Sequence, residues 1–255
     1  MIETLTIAFA QAWALDGLGV LIAVVFVAGL VRGFTGFGTA MIYMPFASTV
    51  LSPVAAIITI LVFDMFGPLP NIPRALRDGT PRDVARLGIG ALIGLPIGLF
   101  LLYRIDPQVF RWLVSFSALT LLALLITGWR YHGELARWMV FVVGAIGGLL
   151  GGVSGLAGPP VIMLYMASKR AVQVIRANIL LYLFITDIMA LLILALTGVI
   201  SLNPVIIGLL LTIPYTVANV IGGWLFRPEL EKAYRWVAYI LIGTSALVNL
   251  PFFGI

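Results

Sequence analysis

Two glycine-rich phrases hold the groups in this sequence that are best suited to binding chemistry. The first phrase, Gly33-Phe34-Thr35-Gly36-Phe37-Gly38, recurs 119 residues later as the second phrase, Gly152-Val153-Ser154-Gly155-Leu156-Ala157. Glycine tolerates an unwound backbone, which would present N–H donors beside the hydroxyls of Thr35 and Ser154. Helices that begin after the phrases would add positive dipole ends, and these groups together favour a small anion. Close helix packing by small residues is the alternative role.

Three charged residues lie in or beside apolar sequence, where a charge is costly and commonly functional. Arg32 precedes the first phrase and offers a planar fork of donors for a sulfonate, sulfite or carboxylate group. Its alternative role is an ordinary charge at the membrane interface. Asp64 and Asp187 lie within two apolar runs, 123 residues apart, which is close to the spacing of the phrases. We interpret them as candidates for proton coupling or for pairing with Arg32, with structural hydrogen bonding as the alternative.

Arg176 and Asn178 open the apolar run that follows the second phrase. Arg176 there would meet an anion at the cytoplasmic mouth or serve as a positive-inside anchor. The candidate substrate-binding residues are Arg32, Gly33, Thr35, Gly36, Gly38, Gly152, Ser154, Gly155, Gly158, Pro159, Arg176 and Asn178.

The composition predicts an integral membrane protein. Of 255 residues, 62% are hydrophobic and 10% charged, with a mean hydropathy of +1.15, whereas soluble domains carry about 25% charged residues. The sequence has no cysteine and one histidine, His132, which argues against thiol chemistry, histidine-based catalysis and most transition-metal sites. We therefore expect no enzyme, no cofactor and no metal. The net charge of +5 marks cytoplasmic loops rather than nucleic-acid binding.

The basic residues discriminate between two topologies for the short apolar runs that flank each phrase. If each pair of runs crosses the membrane once, there are eight spans and the basic residues divide six against eight. If each pair is a hairpin that returns to its starting side, twelve lie on one side and two on the other, with Arg32 set aside at a tip. The positive-inside rule favours the hairpins, with cytoplasmic loops at about 73–86, 128–137, 168–175 and 227–235.

The predicted fold is therefore an all-α integral membrane fold with two inverted repeats, 1–128 and 129–255. Each repeat consists of a glycine-broken helical hairpin and three transmembrane helices, and both termini face the periplasm. Eight plain spans with glycines at helix contacts remain the alternative.

The chain resembles the TauE/SafE family of membrane permeases. The resemblance rests on the duplicated Gly-x-[Thr/Ser]-Gly-x-[Gly/Ala] phrase, on Gly158-Pro159-Pro160, and on Arg176-Ala177-Asn178. It covers nearly the whole chain in segment order and length. It implies a bacterial inner-membrane permease for sulfite, sulfoacetate, thiosulfate or another small sulfur-containing or organic anion, often working as an exporter.

We predict a secondary transporter that binds its anion between the two glycine tips and works by alternating access. A passive anion channel and a permease for a small carboxylate are alternatives; an intramembrane enzyme and an assembly subunit are further rivals with less support in the sequence. The expected partners are a small anionic substrate, the lipid bilayer and, as an open alternative, a second copy of the chain in a homodimer. We expect no nucleic acid.

Overall fold

The computed structural model describes residues 2–35, 37–67, 69–127, 136–166, 168, 170–225, 229 and 231–250. These residues form α-helices joined by short connections, with no β-strand among them. The twelve α-helices are Ile2–Trp13 (α1), Leu18–Thr35 (α2), Thr39–Val50 (α3), Pro53–Phe66 (α4), Ile72–Asp78 (α5), Pro81–Leu102 (α6), Pro107–Thr127 (α7), Arg137–Ser154 (α8), Gly158–Met166 (α9), Val172–Leu196 (α10), Leu202–Leu225 (α11) and Glu231–Val248 (α12). The prediction of an all-helical fold is confirmed for this part of the chain.

Five helices in the described residues are long and apolar enough to cross a membrane: α6, α7, α8, α10 and α11. Helices α1 and α2 are bent by 79° relative to each other, and they add a sixth span only if the bent pair crosses the membrane as one unit rather than as a re-entrant loop. The outer face of α6 is apolar as well, since Ile89, Leu92, Ile93 and Phe100 are all more than half exposed. A continuous apolar exterior of this kind is suited to lipid rather than to water.

Both glycine phrases fall where one helix ends and a short helix begins. Helix α2 ends at Thr35, and α3 begins after Gly38, whose φ of 101° lies in the left-handed region that favours glycine. Helix α8 ends at Ser154, and Gly155 has a φ of 78° in the same region. The helices on either side of each break pack against each other.

The two most extensive helix contacts join the amino-terminal half of the chain to the carboxy-terminal half. Helix α2 packs against α11, and α6 packs against α8. Glycines make the second contact close: a Cβ at Gly94 of α6 would overlap the Ala145 carbonyl of α8, and one at Gly144 of α8 would overlap the Leu87 carbonyl of α6. Small residues allow helices in membranes to approach to backbone contact.

Two helices, α1 and α5, lie almost wholly outside the apolar runs that the sequence shows. The apolar run that precedes the first phrase spans about Leu18 to Val31, whereas the structure adds an earlier helix, α1, which packs against α11. This helix is short and contains Glu3 and Gln11, so it gives no signal of a full span. Helix α5 begins one residue before the predicted loop 73–86 and otherwise lies within it; its Pro73 occupies the first turn, where proline is well tolerated.

Candidate anion site

A cavity of about 60 Å³ lies where the two helix breaks meet. The second break packs on the first half of the chain, since a Cβ at Gly155 would lie 3.2 Å from Met44 Cγ of α3 and 3.3 Å from Ile57 Cδ1 of α4. The lining residues come from seven helices and both breaks: Arg32, Phe37, Gly38, Thr39, Ala40, Met41, Ile57, Ile60, Leu61, Asp64, Leu95, Gly151, Gly155, Ala157, Gly158, Pro159, Ile162, Leu183, Thr186, Asp187 and Ala190. The cavity has room for about four water molecules.

Arg32 lies in the last turn of α2 and faces Asp64 of α4 across this cavity. Its Nη1 is 3.6 Å from Asp64 Oδ2, and the two side chains are only 12% and 13% exposed. That separation is within ion-pair range but too long for a hydrogen bond. Within the described residues, the Arg32 guanidinium makes no other ion pair and no hydrogen bond. A guanidinium has five N–H donors, so this one retains the capacity to bind an anion in the cavity.

Tyr215 of α11 holds the other oxygen of Asp64. The Tyr215 hydroxyl donates a hydrogen bond to Asp64 Oδ1, and Thr39 Oγ1 lies 3.2 Å from the same hydroxyl. Since the single Tyr215 hydrogen goes to the carboxylate, Thr39 is the donor in the second contact. Tyr215 has no signal in the sequence, because it lies inside the long apolar run that became α11 and matches no motif.

Asp187 of α10 is the third charged residue at the cavity. Its carboxylate interacts electrostatically with both Asp64 and Arg32, and its side chain is half-buried. Among the described residues, Asp187 makes no hydrogen bond and no ion pair within bonding distance. One arginine thus faces two aspartates, of which one is held by partners and the other is open to the cavity.

The helices that begin at the cavity offer unequal numbers of backbone donors. Helix α3 begins with Thr39, Ala40 and Met41, whose N–H groups have no acceptor in a preceding turn, and Gly38 provides no side-chain cap. Helix α9 begins with Gly158, Pro159 and Pro160, and proline has no N–H. The amino end of α3 is therefore the better anion site, and Arg32 lies beside it.

The chain matches a known protein family over most of its length. A family model described as sulfite exporter TauE/SafE matches residues 21–248. This chain belongs to the TauE/SafE family. The resemblance carried by the glycine phrases is thereby confirmed, and with its apolar helices the chain is a multi-pass membrane transporter.

A curated TauE/SafE relative supports the same assignment over most of both chains. A probable sulfite/organosulfonate exporter TauE from Cupriavidus necator is 29% identical over 234 residues, which cover 85% of this chain and 88% of the relative. No solved structure matches the chain.

Four of the candidate residues in or directly after the glycine phrases of this TauE/SafE chain lie at the cavity: Gly38, Gly155, Gly158 and Pro159. The other glycines serve different contacts or fall outside the described residues. A Cβ at Gly33 would overlap the Asn219 carbonyl of α11, and one at Gly152 would lie 2.7 Å from the Leu95 carbonyl of α6. These two glycines therefore permit helix packing. Gly36 lies outside the described residues.

The two candidate hydroxyls are used locally rather than in the cavity. Thr35 Oγ1 lies 2.7 Å from the Val31 carbonyl oxygen and 2.8 Å from that of Phe37, and its one hydrogen donates to either of them at the first break. Ser154 Oγ donates to the Leu150 carbonyl at 2.8 Å and is buried. Such bonds are an intrinsic option for a Ser or Thr at a helix end.

Arg176 and Asn178 lie on α10, away from the cavity. Asn178 is fully buried; its Oδ1 accepts a hydrogen bond from the Thr80 N–H at 2.7 Å, and its Nδ2 donates to the Tyr165 hydroxyl at 3.1 Å. Arg176 does not line the cavity. Asn178 thus joins the start of α10 to the connection between α5 and α6.

Ion pairs extend this contact into a second polar site, the Asp83 cluster, which consists of Thr80, Asp83, Arg86, Arg170 and Asn178. Arg170 Nη2 lies 2.6 Å from Asp83 Oδ2, and Arg170 Nη1 donates to Thr80 Oγ1 at 2.9 Å. Arg86 Nη1 donates to Asp83 Oδ1 at 2.9 Å, and Asp83 is buried. The cluster binds the segment after α9 to the start of α6.

Proposed function

We propose that this TauE/SafE protein is a secondary transporter that exports a small anion, namely a sulfur oxyanion or an organosulfonate such as sulfite or sulfoacetate. The observation that carries the proposal is the buried Arg32 guanidinium, which faces a cavity with unused donors beside the amino end of α3. The name of the Cupriavidus necator relative supports the substrate class. A small carboxylate presents the same charge and acceptor geometry and is the alternative substrate.

We also propose that the halves 1–128 and 129–255 are inverted repeats. Each would contribute a helical hairpin, α2–α3 or α8–α9, and three further membrane segments. Reciprocal packing supports this arrangement, because α2 of the first half contacts α11 of the second and α8 of the second contacts α6 of the first. The distribution of basic residues supports opposite orientations, with both termini on the periplasmic side of the inner membrane.

Alternating access requires contacts that can break on one side of the substrate. The Asp83 cluster is suited to this role, because it joins the two halves through polar contacts on the face that carries Arg86 and Arg170. A small set of buried apolar residues accompanies it, separate from the main core: Ala75, Val84, Ala177 and Leu181. We infer that this face is cytoplasmic and that the described conformation is closed there.

Binding of sulfite and sulfoacetate to the purified protein tests the proposal. We expect either anion to raise the thermal unfolding temperature, since a ligand that binds only the native state stabilises it. Arg32→Gln should weaken the affinity by about tenfold or more, because hydrogen bonds to a charged group contribute about 1.5–3 kcal/mol. Arg104→Gln is the matched control, since Arg104 is exposed and contacts Phe100 away from the cavity.

Two results would contradict the anion site. One is equal affinity in wild type and Arg32→Gln; the other is loss of affinity that only parallels loss of folded protein. The double variant Arg32→Gln/Asp64→Asn separates these effects, because it leaves no uncompensated carboxylate where the ion pair was. Concentrative transport in vesicles then distinguishes a transporter from a passive channel.

A further inference from the structure

We propose that Tyr215 is a positioning residue that holds Asp64 back from Arg32 and so keeps the guanidinium available to the substrate anion. The inference rests on the proposed function, because it assumes that an anion binds Arg32. It assigns a role to a residue of α11, whereas Arg32, Thr39 and Asp64 all belong to the first half of the chain.

The two carboxylate oxygens of Asp64 have different partners. One carboxylate oxygen accepts the hydrogen bond from Tyr215, and the other remains 3.6 Å from Arg32 Nη1. A carboxylate and a guanidinium that were free to approach would form a bidentate pair with N–O distances of about 2.7–2.9 Å. The bond to Tyr215 therefore accompanies an ion pair that is loose, and the Arg32 donors are only partly committed.

The Tyr215 ring is fixed in a way that lets its hydroxyl set the position of Asp64. The residue is fully buried, and its ring centroid lies 5.0 Å from that of Phe63 on α4. Gly67 and Gly29 allow this placement, because a Cβ at Gly67 would lie 2.9 Å from Tyr215 Cε1 and one at Gly29 would lie 2.7 Å from the Tyr215 carbonyl oxygen. Thr39 supports the hydroxyl at 3.2 Å.

The consequence is a competition between an internal and an external anion. Without the Tyr215 hydroxyl, Asp64 would lose its neutral partner, and Arg32 would be its remaining one among the groups that contact it. Asp187 does not take the place of Tyr215, since it makes no hydrogen bond to Asp64 and repels it when both are ionised. Asp64 would then occupy the donors that the substrate needs.

Tyr215→Phe tests this role, because it removes only the hydroxyl. We expect the dissociation constant for sulfoacetate, measured by calorimetry on purified protein, to rise about tenfold, which corresponds to one hydrogen bond to a charged group. Tyr43→Phe is the matched control: Tyr43 is also fully buried, packs on the same Phe63 ring at 4.8 Å, and bonds Thr59 at 2.8 Å instead of the aspartate. The affinity of the Tyr43→Phe protein for sulfoacetate should remain within about twofold of that of the wild type.

The decisive comparison is the effect of Tyr215→Phe on anion affinity when the Asp64 carboxylate has been removed. In an Asp64→Asn background, Tyr215→Phe should have no further effect on affinity, because the carboxylate that it releases is absent. Asp64→Asn alone should bind the anion at least as tightly as wild type. A merely structural role for Tyr215 would instead weaken binding equally in both backgrounds.

Three outcomes overturn the inference: unchanged affinity in Tyr215→Phe, a loss that persists in the Asp64→Asn background, or weaker binding in Asp64→Asn alone. The last of these applies even if Tyr215→Phe does not fold. Failure of the wild-type protein to bind sulfite, sulfoacetate or a small carboxylate would refute the proposed function itself, which distinguishes the two failures.

Discussion

The charges at the cavity do not balance at the level of single residues. Arg32 faces Asp64 and Asp187, so the ionised site carries one negative charge in excess and would repel a second anion. Asp64 has a hydrogen bond and an ion pair to stabilise its charge, whereas Asp187 has neither among the described residues. Asp187 is therefore the carboxylate whose protonation best fits the entry of an anion.

We predict that Asp187→Asn uncouples transport from the proton gradient. Sulfoacetate uptake into proteoliposomes driven by a pH gradient should fall to the level seen without the gradient, because the amide cannot gain or release a proton. Exchange of labelled for unlabelled sulfoacetate at equal pH should continue, since the anion still meets Arg32. If gradient-driven uptake is unchanged, another group carries the proton.

The charged residues of the candidate site could be predicted from the sequence, whereas the hydroxyl groups that line or shape it could not. Arg32, Asp64 and Asp187 stand out because each is costly in apolar sequence, and the structure places all three at one cavity. Thr35 and Ser154 share matching positions in the phrases, yet their hydroxyls bond to backbone carbonyls. Tyr215 could not be predicted, because its role depends on which helix packs against α4 and not on its neighbours in sequence.

At the scale of helices, glycines determine which elements can touch. Gly90, Gly94 and Gly98 recur every four residues along α6, and a Cβ at any of them would overlap backbone atoms of α8. Residues four apart share one helix face, so these glycines form a continuous stripe. The four-residue spacing of these glycines is visible in the sequence, but which helix packs against them depends on the whole fold.

We predict that Gly94→Ala lowers stability, whereas Gly88→Ala on the same helix does not. The added methyl at Gly94 would overlap the Ala145 carbonyl, and such overpacking costs about 1–3 kcal/mol. At Gly88 a Cβ would meet only Ile185 Cγ2, at 3.8 Å, and helix propensity favours alanine by up to about 1 kcal/mol. Thermal unfolding in one detergent measures both, and equal unfolding temperatures would argue against the close α6–α8 contact.

At the scale of the whole molecule, the Asp83 cluster holds the only ion pair between the halves among the described residues. Arg170 and Asn178 come from the second half, and Thr80, Asp83 and Arg86 come from the first. Asp64 and Tyr215 also join the halves, but they do so at the cavity itself. Single bonds from Ser245 to the Ile42 carbonyl and between Tyr103 and Thr197 join the halves elsewhere. On α10, Asn178 of the Asp83 cluster lies nine residues, or about 13 Å, from Asp187 at the cavity.

We predict that Asp83→Asn opens this face of the transporter. The chain has no cysteine, so Thr186→Cys places a single thiol at the cavity. The rate of labelling by a membrane-impermeant thiol reagent applied from the side of Arg170 should rise about tenfold or more, because removal of one buried partner leaves Arg170 and Arg86 uncompensated.

Asp78→Asn provides the matched control for this labelling. Asp78 pairs with Arg74 within α5 on an exposed surface, so its loss should leave the rate unchanged. Arg170→Gln should act in the same direction as Asp83→Asn. Unaltered labelling in both cluster variants, with folded protein present, would mean that the Asp83 cluster does not control access.

The reciprocal packing of α2 on α11 and of α6 on α8 also governs how the protein can be made. Helix α2 is synthesised early, whereas its partner α11 begins at Leu202. The face of α2 that contains Gly29 and Gly33 therefore has no α11 to pack against until late in synthesis. Since α4 follows α2 closely in the chain, we infer that Arg32 and Asp64 can pair and neutralise each other before α11 is made. The ion pair would then lower the cost of placing the Arg32 charge in the bilayer before α11 is present.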